Sequence, residues 1–397
     1  MSHRHPPLRL RRGEERRLRA GHLWIYSNEV DVGRTPLAAL EPGALVNVLD
    51  HRGKVLGTAY VNPHSLICAR LLARRPDVEL DAAFITARLE RALSWRERLF
   101  DVPFYRLAYG ESDGLPGLVV DRYGADLVVQ ITTAGMERVR AAVVEALQGL
   151  LRPRHLVLRN DTPARELEGL PAYVEAAGGS LPEVLEVEEN GARFEVPAVG
   201  GHKTGWYYDH RLNRARLQQH ARGRTVLDVF SYDGAWAVQA LAAGAEAALC
   251  VDSSAGALAR ARDNAARNGV GERLEVMRGD AAEVLAALHE QGRKFDLVVL
   301  DPPAFVKRRR DLKAGAAAYR RINGLALRLL PANGLLVSCS CSYHMPRERL
   351  LSEIRQAALH GGRLLQVVEQ GHQGPDHPVH PAMPETDYLK AFFCRVI

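Results

Sequence analysis

Two cysteines, Cys339 and Cys341, close the short apolar run Val337-Ser338-Cys339-Ser340-Cys341-Ser342. A thiolate is the best side-chain nucleophile near neutral pH. Cytosine C5 becomes nucleophilic only after something adds at C6, so a thiol suits methylation at that carbon. Upstream, four acids recur at the ends of apolar runs: Asp228 in TVLDVF, Asp252 in AALCVD, Asp280 in RLEVMRGD and Asp301 in FDLVVLD. A carboxylate such as Asp252 can accept both ribose hydroxyls of an adenosyl ligand. The loop Phe230-Ser231-Tyr232-Asp233-Gly234-Ala235 holds one glycine where a dinucleotide site uses three to bring N–H groups against a pyrophosphate. A ligand without phosphates fits better. S-adenosylmethionine has none, and Asp228, Tyr232 and Phe230 supply the carboxylate and aromatic faces that stabilise its sulfonium. For any one acid a helix N-cap or a solvated loop is the blander account. Four in register point to a ligand instead.

The run Asp301-Pro302-Pro303-Ala304-Phe305 removes two backbone donors and fixes φ, leaving a rigid edge of carbonyls beside the Asp301 carboxyl. That edge suits a base amine and a ring nitrogen, although prolines also simply end strands. A metal site built from Cys339, Cys341 and His344 lacks a second pair at zinc spacing, so no metal is expected. Buried small hydrophobes are the competing account of the two cysteines.

These residues need a frame that brings strand ends together. From TVLDVF onward, apolar runs alternate with helical patterns such as AWAVQALAAG, GALARARDNAARNG and AAEVLAALHEQ, ending with GLLVSCS. That rhythm predicts a parallel sheet covered by helices on both faces, a Rossmann-like α/β fold of class I methyltransferase type, with its ligand beyond the carboxyl ends of the strands. The segment VLEVEENGARFEVP reads as a hairpin turning at Glu189-Asn190-Gly191 and leading into this domain. Three domains are expected: a β-rich one over 1–73, a central α+β one over 74–180 opening on a helix at 81–99, and the methyltransferase domain over 181–397. Within the central one, GLVVDRYG and DLVVQIT read as strands, AGMERVRAAVVEALQGLL as one helix and HLVLRN as a strand.

Composition sets outer bounds. At 47% hydrophobic and 25% charged the chain reads as globular. No apolar run approaches the roughly 20 residues of a membrane span, so a soluble cytoplasmic protein without a membrane partner is expected. Five scattered cysteines do not suggest a disulfide framework. Arg9, Arg11, Arg12, Arg16, Arg17 and Arg19 crowd the N-terminus of a chain of net charge +6. They suggest a polyanion, the bland alternative being a solvated basic face.

From GHKTGWYYDHRLNR, through LDVFSYDGAWAVQALAAGA, DPPAF and SCSCS, to HPVHPAMPETDYLKAFFCRV, the sequence resembles the bacterial ribosomal RNA large-subunit cytosine-5 methyltransferase family. Its LRAGHLWIYSNEV and PGALVNVLDHRGKVLGTAYVNP are similar to that family's N-terminal PUA domain, an RNA-binding barrel. The resemblance implies that Cys341 adds to cytosine C6 while Asp301 binds N3. It implies an S-adenosylmethionine pocket of Lys203, Thr204, Trp206, Asp228, Phe230, Ser231, Tyr232, Gly234, Asp252, Ser253, Asp280, Ala281 and Asp301. Large-subunit ribosomal RNA is the implied partner, met by Arg9, Arg11, Arg12, Arg19, Trp24 and Tyr26. Ser231, Asp233, Ala235 and Trp236 depart from the family's usual residues, and Pro303 stands where the wider class often has a second cysteine. The base that takes the C5 proton is therefore unassigned, with Cys339 a weak candidate. Two other readings remain: the same fold acting on another base atom such as guanine N7, or a non-catalytic RNA-binding assembly factor. The sequence leaves the oligomeric state open, a homodimer included.

Overall fold

The computed structural model describes residues 4–201 and 204–397. The chain forms two compact units. The first runs through Leu185 and adds Pro197–Trp206 and Pro375–Thr386; the second comprises Glu186–Val196, Tyr207–Gly374 and Asp387–Ile397.

The first unit holds two five-stranded sheets. One contains β1 (Pro7–Arg9), β2 (Trp24–Ile25), β3 (Leu45–Leu49), β4 (Val55–Val61) and β5 (Ala69–Ala73), ordered β1-β3-β4-β5-β2, with the short helix α1 (Glu15–Arg19) between β1 and β2. The β3–β4 turn covers residues 50–54. Asp50 Oδ1 accepts the N–H groups of Arg52 and Lys54, and Gly53 takes φ +88°. Helix α2 (Ala82–Leu99) follows, its first turn closed by Asp81, whose carboxylate accepts from Phe84 N at 2.8 Å. It buries Ile85, Leu89 and Ala92, residues three or four apart on one face, in the core of the second sheet.

That sheet contains β6 (Phe104–Tyr109), β7 (Leu118–Tyr123), β8 (Asp126–Ile131), β9 (His155–Asn160) and β10 (Tyr173–Gly178) in the order β10-β9-β8-β7-β6. Strands β6 and β10, its two edges, went unread in the sequence. Between β8 and β9 the single expected helix is two, α3 (Ala134–Arg138) and α4 (Arg140–Leu151), broken at Val139, whose φ of −108° and ψ of 22° are not helical.

In the hairpin β11 (Val184–Glu189) and β12 (Ala192–Pro197), Asn190 and Gly191 take φ +53° and +79°. Both central residues at positive φ is what a two-residue turn with the strands' own twist requires. The second unit is then a seven-stranded sheet: β13 (Thr225–Val229), β14 (Ala247–Asp252), β15 (Leu274–Arg278), β16 (Leu297–Leu300), β17 (Leu335–Ser340), β18 (Leu365–Gly371) and β19 (Lys390–Val396). Its helices are α5 (Arg211–Ala221), α6 (Ala235–Ala242), α7 (Ala255–Arg267), α8 (Ala281–Glu290), α9 (Leu312–Leu327) and α10 (Arg347–His360).

The strand order is β15-β14-β13-β16-β17-β19-β18. The sheet is not wholly parallel as expected: β19 pairs antiparallel with both β17 and β18. A loop, rather than a crossover helix, carries the chain from β18 back to β19. Leu227, Val229, Leu249, Val251, Val298 and Leu336 form the buried middle of the sheet, under Leu285, Leu288, Ile322 and Ile354 of the helices. Each such side chain contributes roughly 1.5–3 kcal/mol by leaving water. The order reverses between β13 and β16, which opens the crevice where such sheets hold ligands.

Candidate active site at the strand ends

The second unit brings Asp228, Asp252 and Asp301 to that crevice through adjacent parallel strands, since β13 pairs with β14 on one side and β16 on the other. The loop from β13 to α6 is held in an unusual conformation. Phe230 and Tyr232 take φ +64° and +48°, which costs side-chain-bearing residues roughly 1–3 kcal/mol each. The neighbouring strand offsets this. Phe230 N and Ser231 N both donate to Val251 O, at 2.9 and 3.1 Å, and Tyr232 N donates to Asp252 Oδ2 at 3.0 Å. At Gly234, φ +79°, a Cβ would lie 2.9 Å from Ala261 Cβ, so glycine lets α6 approach α7.

The four acids differ in what already satisfies them. Asp280 is the N-cap of α8, Oδ1 accepting from Ala282 N and Glu283 N at 2.9 and 3.2 Å, with Ala281 buried in the core behind it. For this residue the blander reading describes the geometry. Asp252 is oriented by Ser254 N (2.8 Å to Oδ1) and Tyr232 N, and the exposed Ser253 next to it accepts from Arg278 through its carbonyl. Asp228 is fully buried, with Oδ2 accepting from Ala237 N at 3.1 Å and Oδ1 lacking any partner. Burial first, then the charges of Asp301 and Asp252, push its pKa up to about 8.

Asp301 is gripped at both oxygens. His210 Nε2 lies 3.1 Å from Oδ1 and Trp236 Nε1 donates to Oδ2 at 3.1 Å. The tautomer follows from the neighbours: Arg216 donates to Asn213 Oδ1 (3.3 Å), turning the Asn213 amide nitrogen toward His210 Nδ1 (3.2 Å). The His210 proton is thus on Nε2, facing the carboxylate. Burial raises the Asp301 pKa, but His210 and Trp236 outweigh it and hold the group below the ordinary carboxylate value.

Cys341 follows β17, adjacent to β16, and its Sγ lies 4.0 Å from Pro302 O, the residue after Asp301. Its flanks are tied down. Ser340 Oγ donates to Tyr319 OH at 2.7 Å, Val306 N donates to Ser342 Oγ at 3.2 Å, and Lys390 Nζ donates to Ser342 O at 2.7 Å. Lys390 is buried on β19, gives a second hydrogen bond to Tyr388 O at 2.8 Å, and has its pKa pushed down to about 8, chiefly by burial. Cys339 is fully buried, and burial raises its thiol pKa well above the ordinary value. Its donor atom lies within 4.8 Å of those of His210 and Asp301, three ligands where structural zinc takes four. A thiol so costly to ionise is poorly suited as the missing base.

Residues 130–395 match the S-adenosylmethionine-dependent methyltransferase family, and residues 8–74 match a PUA-like domain. The chain is 40% identical over 393 residues to Ribosomal RNA large subunit methyltransferase I of Yersinia pestis bv. Antiqua (strain Angola), covering 98% of each chain. The chain belongs to this methyltransferase family. It is also 38% identical, over 98% of each chain, to the protein of that name from Cronobacter sakazakii (strain ATCC BAA-894). Its fold is similar to that of a methyltransferase, SMU.776, crystallised with SAH: TM-score 0.84 at 21% identity, covering 98% of this chain and 100% of that one. A SAM-dependent methyltransferase from Streptococcus mutans is similar with a TM-score of 0.83 at 20% identity, over the same shares.

The methyl donor of this family member is S-adenosylmethionine. The residues suit it: the Asp228 oxygen without a partner, once ionised, matches a cation, and Phe230 and Tyr232 lie in the same loop, the Tyr232 ring 5.6 Å from the Arg260 guanidinium. Of the departures noted in that loop, Asp233 is turned away into a bridge with Arg260, 2.8 Å from Nη2, so its charge is compensated. Trp236, set aside in the sequence as a variation, is a ligand of the Asp301 carboxylate. His210 and Lys390 were missed altogether.

The remaining assigned residues belong to the first unit or lie outside the described residues. Lys203 lies outside them. Thr204 and Trp206 are buried in the first unit, the Thr204 hydroxyl donating to Asp121 and Trp206 N donating to Tyr123 OH at 3.0 Å. Of the N-terminal residues, Arg19 pairs with Asp50 at 2.7 Å, and Arg9 and Arg11 donate to the carbonyls of His51 and Val30. Trp24 Nε1 donates to Glu111 at 2.7 Å, the Tyr26 ring lies 4.8 Å below the Arg17 guanidinium, and Arg12 is exposed.

Proposed function

We propose that this methyltransferase forms 5-methylcytosine in large-subunit ribosomal RNA through a covalent Cys341 adduct at cytosine C6. The observation that supports this most is the thiol beside the Asp301-Pro302 edge, its sulfur 4.0 Å from Pro302 O, at the end of the strand next to the one that carries Asp301. Family membership and the relatives' action on large-subunit ribosomal RNA support the substrate class.

In this reading the Cys341 thiolate forms a C–S bond at C6, and the displaced π electrons make C5 nucleophilic. S-adenosylmethionine, when bound, supplies an electrophilic methyl group to C5. Transfer of the C5 proton to solvent water then returns electrons to the ring and breaks the C–S bond, so Cys341 leaves as thiolate. Asp301, fixed by His210 and Trp236, faces the pyrimidine amine and N3; the proton on His210 Nε2 is the one within its reach. Lys390 places a cation on the carbonyl next to Cys341 and favours the thiolate. Among the described residues no helix is long and apolar enough to cross a membrane.

Cys341→Ser tests the covalent step. It is expected to bind S-adenosylmethionine as the wild type does and to lose methylation by about 1,000-fold or more. An unchanged methylation rate on ribosomal RNA would exclude the adduct.

A further inference from the structure

The first unit contains a groove of about 550 Å³ between the end of β5 and the exposed face of α2. Its charges are unevenly settled. The two carboxylates in its wall are already neutralised: Asp113 receives two bonds from Arg96, both 2.7 Å, and Glu111 accepts from Trp24 and faces Arg70 at 3.8 Å. Arg74, Arg88 and Arg91 have no ion pair among the described residues. Arg74 and Arg88 donate to the carbonyls of Leu18 and Leu72, and Arg91 to Ala87 O of its own helix. Glu90, beside Arg91, makes no ion pair among the described residues either.

Arg88 carries the sharper signal. Its Nε is buried without an acceptor, and its other contact is the Phe84 ring, 4.6 Å from the guanidinium carbon. Burial, then the like charges of Arg91 and Arg75, pull its pKa down. An arginine stripe that only solvates a helix would not leave a guanidinium nitrogen dry and unpaired. On the same helix face, four residues after Arg91, Trp95 is 51% exposed although it is the largest side chain type. Guanidinium groups beside an exposed aromatic ring match phosphates alternating with an unstacked base. A duplex offers no free base face, and an acidic peptide has no use for the indole.

We propose that this groove binds a single-stranded segment of RNA, with Arg74, Arg88 and Arg91 on phosphates and a base stacked on Trp95. It rests on the reading that RNA is the substrate and adds a second contact surface to it, apart from the N-terminal arginines. A strand held there is positioned outside the catalytic pocket, so its loss weakens RNA capture and leaves cofactor binding unchanged.

The test is binding of a short fluorescein-labelled oligocytidylate to the full chain across a salt series, for wild type, Arg91→Gln, Trp95→Ala and Trp95→Phe. Trp95→Ala is expected to weaken binding about 10-fold and Trp95→Phe to restore most of it. Arg91→Gln is expected to lower the slope of log affinity against log salt by about 0.7. Wild-type affinity and slope in both Arg91→Gln and Trp95→Ala would overturn the proposal, as would equal competition by a base-paired duplex of the same length. Methylation of ribosomal RNA is scored in parallel. Methylation by the wild type with no binding loss in the variants sinks the groove alone; binding loss without any methylation sinks the proposed reaction alone.

Discussion

The N-terminal arginines, crowded along the chain, and the acids at the strand ends, brought together by the sheet, are both groups of like charge, yet the structure treats them differently. Arg19 has Asp50 and Arg17 has Glu29 at 2.7 and 2.8 Å, so much of that cluster is neutralised within its own unit. Asp228, by contrast, keeps an oxygen without a partner and a pKa raised to about 8. Asp233, only a few residues away, is bridged by Arg260. Charge settled inside the fold serves the fold, and charge left unsettled marks where a ligand of opposite sign belongs. The unpaired arginines of α2 fall on the same side of that division as Asp228.

The largest effect should come from altering an unsettled charge. Asp228→Asn is expected to weaken S-adenosylmethionine binding on the order of 30-fold while leaving the neutral S-adenosylhomocysteine nearly unaffected, as titration calorimetry would read. The sign of the pH dependence follows. With a folded pKa of about 8 against roughly 3.9 unfolded, the folded state holds this proton between those values, so the stability it lends is present in acid and is lost as pH rises through 8. Protonation below pH 8 removes the charge that the sulfonium needs. Preference for S-adenosylmethionine over S-adenosylhomocysteine should therefore decline as pH falls below about 8, and a flat ratio would break the comparison.

Lys390 sharpens it from the opposite sign. Its pKa of about 8 leaves it charged below that value, with Asp387 raising and Arg347 lowering the pKa, and Cys341 is the thiol in its reach. Lys390→Met is expected to slow alkylation of Cys341 by about 10-fold at neutral pH, one pKa unit of thiol ionisation. Unaltered alkylation would remove the lysine from the mechanism. The smallest effect belongs to a settled pair: Arg19→Ala should change stability by no more than about 1 kcal/mol in denaturant unfolding, because the arginine is 45% exposed. A loss several times larger would show that the paired cluster is not merely a surface feature.

Much of the second unit was legible because buried parallel strands leave apolar runs, and each run ends at the crevice. Asp228, Asp252 and Asp301 were picked out by that rule, whereas Cys341 was told from Cys339 only by the family resemblance. Asp280 could not be told from a cap, since an acid before a helix has the same pattern in either role. His210 and Trp236 meet Asp301 from 91 and 65 positions away, a convergence no local spacing records. Lys390 was hidden for a related reason. KAFFCRV reads as a buried run, but its antiparallel place opposite β17, Lys390 beside Ser340, is decided by the sheet. In the first unit β6 and β10 were missed as edge strands, with polar or small residues interrupting their alternation. The arginines of α2 drew no reading, since only the helix at 81–99 was expected.

The central claim is the sulfur–carbon bond at C6, and ribosomal RNA carrying 5-fluorocytidine tests it most directly, because fluorine at C5 blocks release of the enzyme. With S-adenosylmethionine present, the wild-type chain should form a protein–RNA adduct that survives denaturing electrophoresis, and Cys341→Ser should form none. Methylation of ordinary ribosomal RNA by the wild type with no such adduct, or an adduct that persists in Cys341→Ser, would contradict it.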